Sequence, residues 1–501
     1  MTRPSRPGLL RWGTSLVVLI GSAFALRALA LIDSTGLWSD ELYTIGKSFQ
    51  PSYEALLAML RQDTHPPLYY TLIWLWGQLL PPSAVTLRLF SWLAYVFGGL
   101  VITAQAGALA RQQAWARPRL ALAAAALMAF CSPYPVRFAI EGKGYALLVL
   151  LVALAWWWRQ RSQWLAYGLS VALAALTHYY GLFLFAATVC WDAWQRRPRA
   201  AFSAALALIP ALVWMLQAST YLMRSGTGAW IGRPDFALLE DTLARALGFW
   251  PLPKLALLVL AAAVVACCGL QRELADPKQE KHAGQKIDLA DSSGLIPSML
   301  MVVAVLMISF WKPLAFSRYF VVLLPAFVPW LAVRLAALPF NARGRVGASV
   351  VLGALLCSWW WHSFSELDPS LNGHGAREAD QFQLVSRALA EESHRFSRRE
   401  RLFNLSDQME VAAGRMAQPA RSWGGTSELD QVLASDALPH HLWLADSGDA
   451  KGARPRLTVL RRRAEGAGYR CQTAEIADVG ASPYAQVQRC RLVTPLHSEH
   501  R

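Results

Sequence analysis

The chain has 501 residues, of which 55% are hydrophobic and 16% are charged, and its 48 Lys and Arg against 33 Asp and Glu give a net charge of +15. About 25% of a soluble protein is charged, so this composition excludes an ordinary soluble domain and predicts a polytopic membrane protein. The positive charge does not indicate nucleic-acid binding. Its arginine clusters lie between apolar blocks, and no basic stripe with interleaved aromatic residues occurs outside them.

Long apolar blocks alternate with short polar segments along the chain. Blocks of about 18 apolar residues can span a bilayer as helices, and shorter blocks leave room for tilt or paired spans. The first block is too long for the hydrophobic region of a signal peptide and no A-x-A-like site follows it, so we predict no cleaved signal. The blocks are residues 16–32, 86–110, 144–158, 164–194, 200–218, 251–270, 295–311, 319–338 and 347–361.

Arginine clusters predict the orientation of these spans. Arg3, Arg6 and Arg11 place the N-terminus in the cytoplasm. The arginines that follow residues 86–110 also belong in the cytoplasm, so the short stretch 68–80 cannot be a further span and is predicted to lie on the outer surface. The fold class is therefore an α-helical protein of the inner (plasma) membrane with about eleven transmembrane helices.

Two domains are predicted from the distribution of apolar blocks. Residues 1–362 form the membrane domain, and their segment 33–85 is an outer loop with juxtamembrane helices. Residues 363–501 contain no apolar block, and the parity of the spans places them outside the cytoplasm. Their pattern predicts a small α/β domain, with a helix at 376–392 and strands at 441–446 and 456–460.

The outer domain contains two cysteines, Cys471 and Cys490. Outside the cytoplasm, two cysteines in one small domain favour a disulfide, and two free thiols are the alternative. The sequence contains no C-x-x-C motif and no Cys/His cluster with the spacing of a metal site.

Ionisable side chains embedded in or beside apolar sequence cluster, by this topology, at the outer ends of the helices. Such groups are costly at membrane depth and are candidate site residues by default. The set has more cations than carboxylates, which suits a phosphate-bearing lipid together with a carboxylate base. Its members are Arg27, Asp40, Glu41, His65, Arg137, Glu141, Lys143, His178, Lys312 and Arg318.

Each of these residues also has a structural interpretation. The acid pair could belong to a solvated loop, His65 to a turn before a surface helix, and His178 to a helical hairpin. Arg27 and Arg318 could extend their long side chains to the interface, and Arg27 could instead pair with Glu41 or Asp33.

The order of the motifs resembles a known family. The first span is followed by LWSDELY (37–43), THPPLYY (64–70), VTLRLFSWLAYVFGGL (85–100), SPYPVRFAIEGKGY (132–145) and a late SRYFVVLLPAF (317–327). This series is similar to the polyprenyl-phosphate-dependent glycosyltransferases of the GT-C fold, in the group of protein O-mannosyltransferases and lipid A aminoarabinose transferases. The resemblance extends over about residues 12–340 and is most specific in the first 150.

The resemblance assigns roles to the first motifs. Asp40 matches the acidic residue of the first outer loop that acts as general base, and Glu41 matches its acidic neighbour. His65 falls where the family has a polar or basic residue near the donor phosphate. Arg137 adds a further cation for that phosphate.

Two later motifs imply contacts to the same phosphate. Glu141, Lys143 and Tyr145 match a Q-E-A-R-x-Y motif that here reads I-E-G-K-G-Y. Lysine in place of arginine keeps the charge but loses the bidentate fork. Arg318 and Tyr319 match the family's late R-Y pair and imply a second phosphate clamp.

The mechanism implied by the resemblance is a direct, inverting displacement. Asp40 would deprotonate an acceptor hydroxyl, which attacks the anomeric carbon of a sugar on polyprenyl phosphate. The cations would stabilise the leaving phosphate, so no general acid is required. No cofactor is required either, because the basic residues can replace a metal, although a divalent cation is compatible with the site.

The expected partners are the polyprenyl-phosphate-linked sugar donor, membrane lipids and an acceptor, which is a glycan, a lipid or a protein. A flippase or transporter of lipid-linked sugars is one alternative, but transporters usually have repeated halves that this sequence lacks. A glycan polymerase or ligase is the other, and it would favour a catalytic loop late in the chain.

Overall fold

The computed structural model describes residues 8–37, 39–113, 116–132, 138–224, 227–228, 231–247, 288–337, 378–394, 400–404, 426–447, 453–474 and 485–493. The chain divides into two compact units. Unit 1 comprises residues 1–32, 57–72 and 88–367, and unit 2 comprises residues 33–56, 73–87 and 368–501. The predicted spans 251–270 and 347–361, and the predicted domain boundary at 362, lie outside the described residues.

The first two thirds of the described chain are helical. The helices are α1 (Gly8–Ala30), α2 (Ser39–Ser48), α3 (Tyr53–Leu60), α4 (Leu68–Leu79), α5 (Ala84–Gln112), α6 (Pro118–Cys131), α7 (Tyr145–Gln160), α8 (Trp164–Thr177), α9 (Tyr179–Trp194), α10 (Pro198–Gln217), α11 (Ser219–Leu222), α12 (Phe236–Leu247), α13 (Leu289–Ser292), α14 (Leu295–Ser309), the 3-10 helix η1 (Ser317–Leu323) and α15 (Leu324–Ala336).

Several of these helices have the length and the apolar composition that are needed to cross a membrane. Among the described residues, four are long and apolar enough, namely Gly13–Ala30, Ala84–Gln112, Pro198–Gln217 and Ser317–Ala336. In lipid all backbone polar groups must be satisfied within the segment, which favours helices. Large apolar side chains point outward from two of these spans, as Leu19 and Phe202 illustrate at 66% and 71% exposure. Lipid would cover them.

Helices α7 to α10 form consecutive hairpins, and α8 contacts both α9 and α10. Gly181 permits the close approach of α8 and α9, because a Cβ at this position would lie 2.5 Å from the carbonyl oxygen of Ala174. Pro198 opens α10 at a position where its missing N–H costs no helical hydrogen bond. Elsewhere in unit 1, α6 packs against α1 and α15.

A buried ionic network joins four elements of unit 1 at the α9–α10 turn. Arg159 of α7 donates from Nε to Asp192 of α9 at 3.1 Å. Arg197, which precedes α10, pairs with Asp291 of α13 at 2.6 Å. Trp191 donates from Nε1 to the same carboxylate at 2.6 Å. The network thus contains two arginines and two aspartates, so its charges balance.

Unit 2 contains a small α/β arrangement. Its elements among residues 368–501 are α16 (Glu378–His394), β1 (Glu400–Asn404), α17 (Thr426–Leu433), β2 (His441–Ser447), α18 (Ala453–Gly466), β3 (Tyr469–Thr473) and β4 (Ala485–Leu492). The described strands form a sheet in the order β1-β2-β4-β3. β1 and β2 are parallel, whereas β4 runs antiparallel to both of its neighbours.

One face of this sheet packs on α17 and α18 through a core that includes Phe403, Leu442, Leu444 and Leu460. The sequence prediction of strand at 456–460 is wrong, because these residues lie within α18. The prediction fails because the buried residues of this segment recur with the period of a helix. Leu457, Leu460 and Ala464 are buried at spacings of three and four, and this face outweighs the β-branched residues between them.

Other parts of the predicted pattern agree with the structure. The described part of the predicted helix 376–392 lies in α16, the segment 441–446 lies in β2, and the short apolar stretch 68–80 contains α4. Cys471 and Cys490 are directly paired across β3 and β4 and form a disulfide with an S–S distance of 2.01 Å.

Candidate functional site

His178 stands at the centre of the candidate site, in the turn between α8 and α9. Its backbone is extended and it caps the N-terminus of α9, where Nδ1 accepts a hydrogen bond from the N–H of Tyr180 at 3.1 Å. An imidazole nitrogen that accepts cannot carry the proton, so in the neutral ring Nε2 is the donor. The helix cap therefore selects one tautomer.

Aromatic side chains surround this imidazole. The ring of Tyr319 lies 5.0 Å from that of His178, Tyr180 at 5.6 Å and Tyr145 at 5.8 Å. Tyr180 donates its hydroxyl to the carbonyl of Leu314 at 2.9 Å, which ties α9 to the segment before η1. His178 is 8% exposed, so the rings leave little of it open to solvent.

His65 reaches the same cluster from the turn before α4. Its ring lies 6.2 Å from His178, and its Nδ1 lies 3.2 Å from the carboxylate of the buried Asp63. Because a carboxylate only accepts, Nδ1 of His65 carries the proton in this contact. Asp63 thereby orients His65, and the adjacent prolines fix an extended entry into α4.

Glu141 and Lys143 lie in the irregular segment between α6 and α7. Both are buried, each with 6% exposure. The hydroxyl of Ser91 lies 3.4 Å from the carbonyl of Lys143. Gly144 lets the segment approach α4, because a Cβ there would lie 3.2 Å from the ring of Tyr69. This loop conformation explains how two ionisable residues separated by one glycine both become buried.

Arg318 and Tyr319 lie in the first turn of η1. The guanidinium of Arg318 stacks over the ring of Phe316 at 4.8 Å, which restricts the side chain without neutralising its charge. Ser317 donates its hydroxyl to Asp241 of α12 and so connects the start of η1 to α12. Tyr319 brings this element to His178.

Burial lowers the pKa of His178, and repulsion from the nearby His65, Lys143 and Arg318 adds to this effect, so that the pKa falls to about 3. Among the described residues, then, three basic groups act on one neutral histidine. Such a cluster is suited to bind an anion with several oxygens, since cations supply charge and the imidazole supplies an uncharged donor.

The acid pair, Asp40 and Glu41, lies in unit 2. Asp40 and Glu41 occupy the first turn of α2, where a carboxylate is favoured by the unpaired N–H groups of the helix terminus. Glu41 is buried, with 1% exposure, while Asp40 is partly exposed. The hydroxyl of Thr44 donates to the backbone carbonyl of Asp40 at 2.9 Å.

The remaining predicted residues fall elsewhere. Arg27 lies in the last turn of α1 and is partly buried. Lys312 donates to the backbone carbonyl of Leu222. Arg137 lies outside the described residues. In the part of the chain that the structure describes, no group of three or more His, Cys, Asp or Glu side chains is placed to hold a metal ion.

The structure thus brings together His65, Lys143, Tyr145, His178, Arg318 and Tyr319 in unit 1. Sequence reasoning missed Asp63 and Tyr180. Asp63 stands two residues before His65, and its spacing alone could have suggested an orienting carboxylate. The roles of Tyr180 could not be read from the sequence, because its contact at Leu314 is 134 residues away.

Comparisons with known proteins identify the fold. Neither protein-family profiles nor curated protein sequences match this chain. Among solved structures, ArnT from Cupriavidus metallidurans bound to undecaprenyl phosphate matches at 12% identity and a TM-score of 0.57, over 94% of this chain and 97% of ArnT. ArnT in the apo state matches at 12% identity and a TM-score of 0.58, over 95% and 98%.

An oligosaccharyltransferase from Archaeoglobus fulgidus in the apo form is also similar, at 12% identity and a TM-score of 0.38, over 88% of this chain and 70% of that chain. The match to ArnT extends over nearly the whole of both chains. This chain therefore has the GT-C fold of a multi-pass membrane protein, as its motifs predicted.

Proposed function

We propose that this protein is a membrane glycosyltransferase that moves a sugar from a polyprenyl-phosphate donor to a hydroxyl acceptor on the outer face of the membrane, with inversion at the anomeric carbon. The observation that carries the proposal is the convergence of His65, Lys143 and Arg318 on the neutral, buried His178. The shared fold with ArnT, which binds undecaprenyl phosphate, supports a lipid phosphate as the anion.

The cations of the site act on the leaving group. When the bond from the anomeric carbon to the phosphate oxygen breaks, its electron pair stays with the phosphate and adds one negative charge. Lys143 and Arg318, together with His65, stabilise this growing charge more strongly than the ground state, which lowers the barrier. Phosphate leaves as an anion, so no proton needs to be donated to it.

His178 is the neutral member of the site. Its Nε2–H can donate a hydrogen bond to a phosphate oxygen, while its Nδ1 remains occupied by the cap to Tyr180. A buried cation in its place would add to the repulsion among the basic groups. A neutral donor avoids this repulsion and still offers a hydrogen bond to one phosphate oxygen.

Asp40 is the proposed general base. Its carboxylate takes the proton of the acceptor hydroxyl as the acceptor oxygen bonds to the anomeric carbon. Glu41, the more deeply buried neighbour, is proposed to maintain the local structure of α2. The acceptor is a glycan, a lipid or a protein hydroxyl, and the donor's lipid tail lies among the helices.

The proposed topology has about eleven spans, a cytoplasmic N-terminus and an extracytoplasmic domain formed by the end of the chain, in the plasma membrane. The arginines at the ends of the apolar blocks support this orientation. Site residues of unit 1 would then lie near the outer face. A divalent cation remains compatible with the proposal but is not required by it.

Binding of undecaprenyl phosphate to the solubilised protein tests the donor site. Arg318→Gln removes a charge-assisted contact worth about 1.5–3 kcal/mol, so affinity should fall by about tenfold or more. Arg224→Gln is the matched control, because Arg224 also stacks on an aromatic ring, that of Tyr221, but is exposed. Equal affinities of both variants and the wild type, measured by native mass spectrometry, would contradict the proposed phosphate site.

A further inference from the structure

An arginine row lies on one face of the sheet in unit 2, opposite the face that carries the disulfide. Arg470 of β3 and Arg491 of β4 are directly paired across the strands. Arg489 lies two residues along β4 and therefore on the same face, about 7 Å away. All three side chains are exposed. The arginine row is defined by these three residues.

Such an arrangement costs stability. Like charges directly opposite each other on neighbouring strands repel. The disulfide between Cys471 and Cys490, one position further along both strands, holds this register in place. Arg489 is also restrained, because its guanidinium stacks over the ring of the buried Trp443 at 5.1 Å. The strands thus hold the three charges close together in spite of their repulsion.

Acidic residues are distributed unevenly around the arginines of unit 2. On α18, Arg456 forms a bidentate pair with Asp446, and Arg463 pairs with Asp430 at 3.0 Å. In the part of unit 2 that the structure describes, Arg470 and Arg491 form no ion pair. Glu400, which is in register with Arg491 across the sheet, pairs instead with His441 at 3.9 Å. Among the described residues of unit 2, no ion pair therefore neutralises Arg470 or Arg491.

Protection of the sheet edge does not account for the row. Charged residues on an edge strand discourage pairing with other chains, and Arg470 on the edge strand β3 can serve this purpose. Arg489 and Arg491, however, lie on β4, which has neighbours on both sides. Their position requires a different explanation.

Arginine forks match phosphate groups, and three of them on one flat face match an array of phosphates better than a single small anion. The bilayer that holds this multi-pass protein supplies such an array at fixed high concentration, because the chain ties unit 2 to the membrane helices. We propose that the arginine row of Arg470, Arg489 and Arg491 is a docking surface for anionic phospholipid headgroups.

Chemical footprinting of the full-length wild-type protein tests the docking surface. Phenylglyoxal modifies accessible arginines, and mass spectrometry locates the adducts. The protein is labelled in nanodiscs of phosphatidylcholine alone and in nanodiscs that contain one third phosphatidylglycerol. We expect adducts at Arg470 and Arg491 to fall about fivefold in the anionic discs, and to return at high salt. Arg462, exposed on α18, is the internal control and should be labelled equally in both.

Three results would overturn the proposal. Equal labelling of the arginine row in both kinds of disc would exclude a headgroup contact. A matching fall at Arg462 would indicate a general effect of the negative disc rather than a docking surface. Equal protection by inorganic phosphate in phosphatidylcholine discs would make the row a site for a small free anion instead.

Discussion

At the scale of single residues, His178 combines two properties that rarely occur together. It is enclosed by tyrosine rings, yet basic side chains surround it. Burial and repulsion both favour the neutral ring, and the cap on α9 decides which nitrogen carries the proton. This residue therefore contributes a directed hydrogen bond to the site rather than charge.

The protonation state of His178 gives a first prediction. Its pKa of about 3 lies below the unfolded value, so the ring should stay neutral between about pH 5 and 8, where histidines usually titrate. Histidine NMR of the solubilised protein, assigned with His178→Asn, should show one ring with no pH-dependent shift in this range. Because the unfolded chain binds a proton at this histidine more readily than the folded chain does, the folded state loses stability as the pH falls below about 6.5 towards 3.

A midpoint near 6.5 for the His178 resonance would contradict this account of the site. It would mean that solvent or a carboxylate offsets the burial and the repulsion from the three neighbouring basic side chains.

The proposed base gives a second prediction at this scale. Asp40→Asn keeps the shape of the side chain but cannot accept a proton, so sugar transfer should fall by about 10²- to 10⁴-fold. Donor binding should be unchanged, because the proposed mechanism assigns Asp40 to the acceptor hydroxyl and the basic residues to the phosphate. Glu54→Gln is a matched control, since Glu54 lies in the first turn of α3 as Asp40 does in α2.

Transfer is measured as recovery of the glycan product in cells that express each variant, with protein levels compared by immunoblot. Wild-type product from Asp40→Asn would remove Asp40 from the mechanism, and loss of product in Glu54→Gln would indicate a structural effect.

At the scale of elements, the ionic network of Arg159, Asp192, Arg197 and Asp291 ties α7, α9 and α10 to α13. It lies at the far end of α9 from His178, about 24 Å away for a helix of this length. A change in the network therefore alters the packing of the helices without touching the site residues themselves.

Removal of one partner should leave a buried charge without compensation. We expect Asp192→Ala to lower the free energy of unfolding by about 3 kcal/mol or more. Arg161→Ala should change it by less than about 0.5 kcal/mol, because Arg161 is exposed and its side-chain contacts are a stack on Trp157 and a hydrogen bond to the carbonyl of the same residue. The double variant Arg159→Met with Asp192→Leu should recover part of the loss. Thermal unfolding of the solubilised protein measures all three.

Equal stability of Asp192→Ala and Arg161→Ala would show that the network contributes nothing to the packing of these helices.

The elements also show where prediction from sequence succeeds. The long apolar helices and the strand β2 were predicted correctly, because the residues that indicate each of them are neighbours in the sequence. The segment 456–460 was predicted wrongly, because its burial at α18 spacing becomes visible only over the whole of residues 453–466. The ionic network was missed, since Asp192 and Asp291 lie 33 and 132 residues from Arg159.

At the scale of the whole molecule, the two units differ in where their basic side chains lie. In unit 1, basic residues surround His178. Among the described residues of unit 2, Arg456 and Arg463 of α18 pair with acids, whereas Arg470 and Arg491 of β3 and β4 form no ion pair. The positive charge of the described residues is therefore distributed over several local clusters.

Candidate site residues were predictable from sequence where motif and topology agreed. His65, Lys143, His178 and Arg318 all stand out as ionisable residues beside apolar blocks, and the structure brings them together. Of their partners, Asp63 was within reach of sequence reasoning through its spacing from His65, whereas the contact of Tyr180 with Leu314, 134 residues away, was not. The roles of Asp40 and Glu41 remain predictions from the resemblance.

If this protein consumes a sugar carried on polyprenyl phosphate, its absence should change both the donor and the product, which mass spectrometry of membrane lipids and envelope glycans measures in a strain that lacks the protein. We expect an accumulated glycosyl polyprenyl phosphate and the loss of one sugar from one envelope product. The wild type should reverse both changes, and Asp40→Asn should not. Unchanged lipid-linked sugars together with an unchanged set of envelope glycans would contradict it.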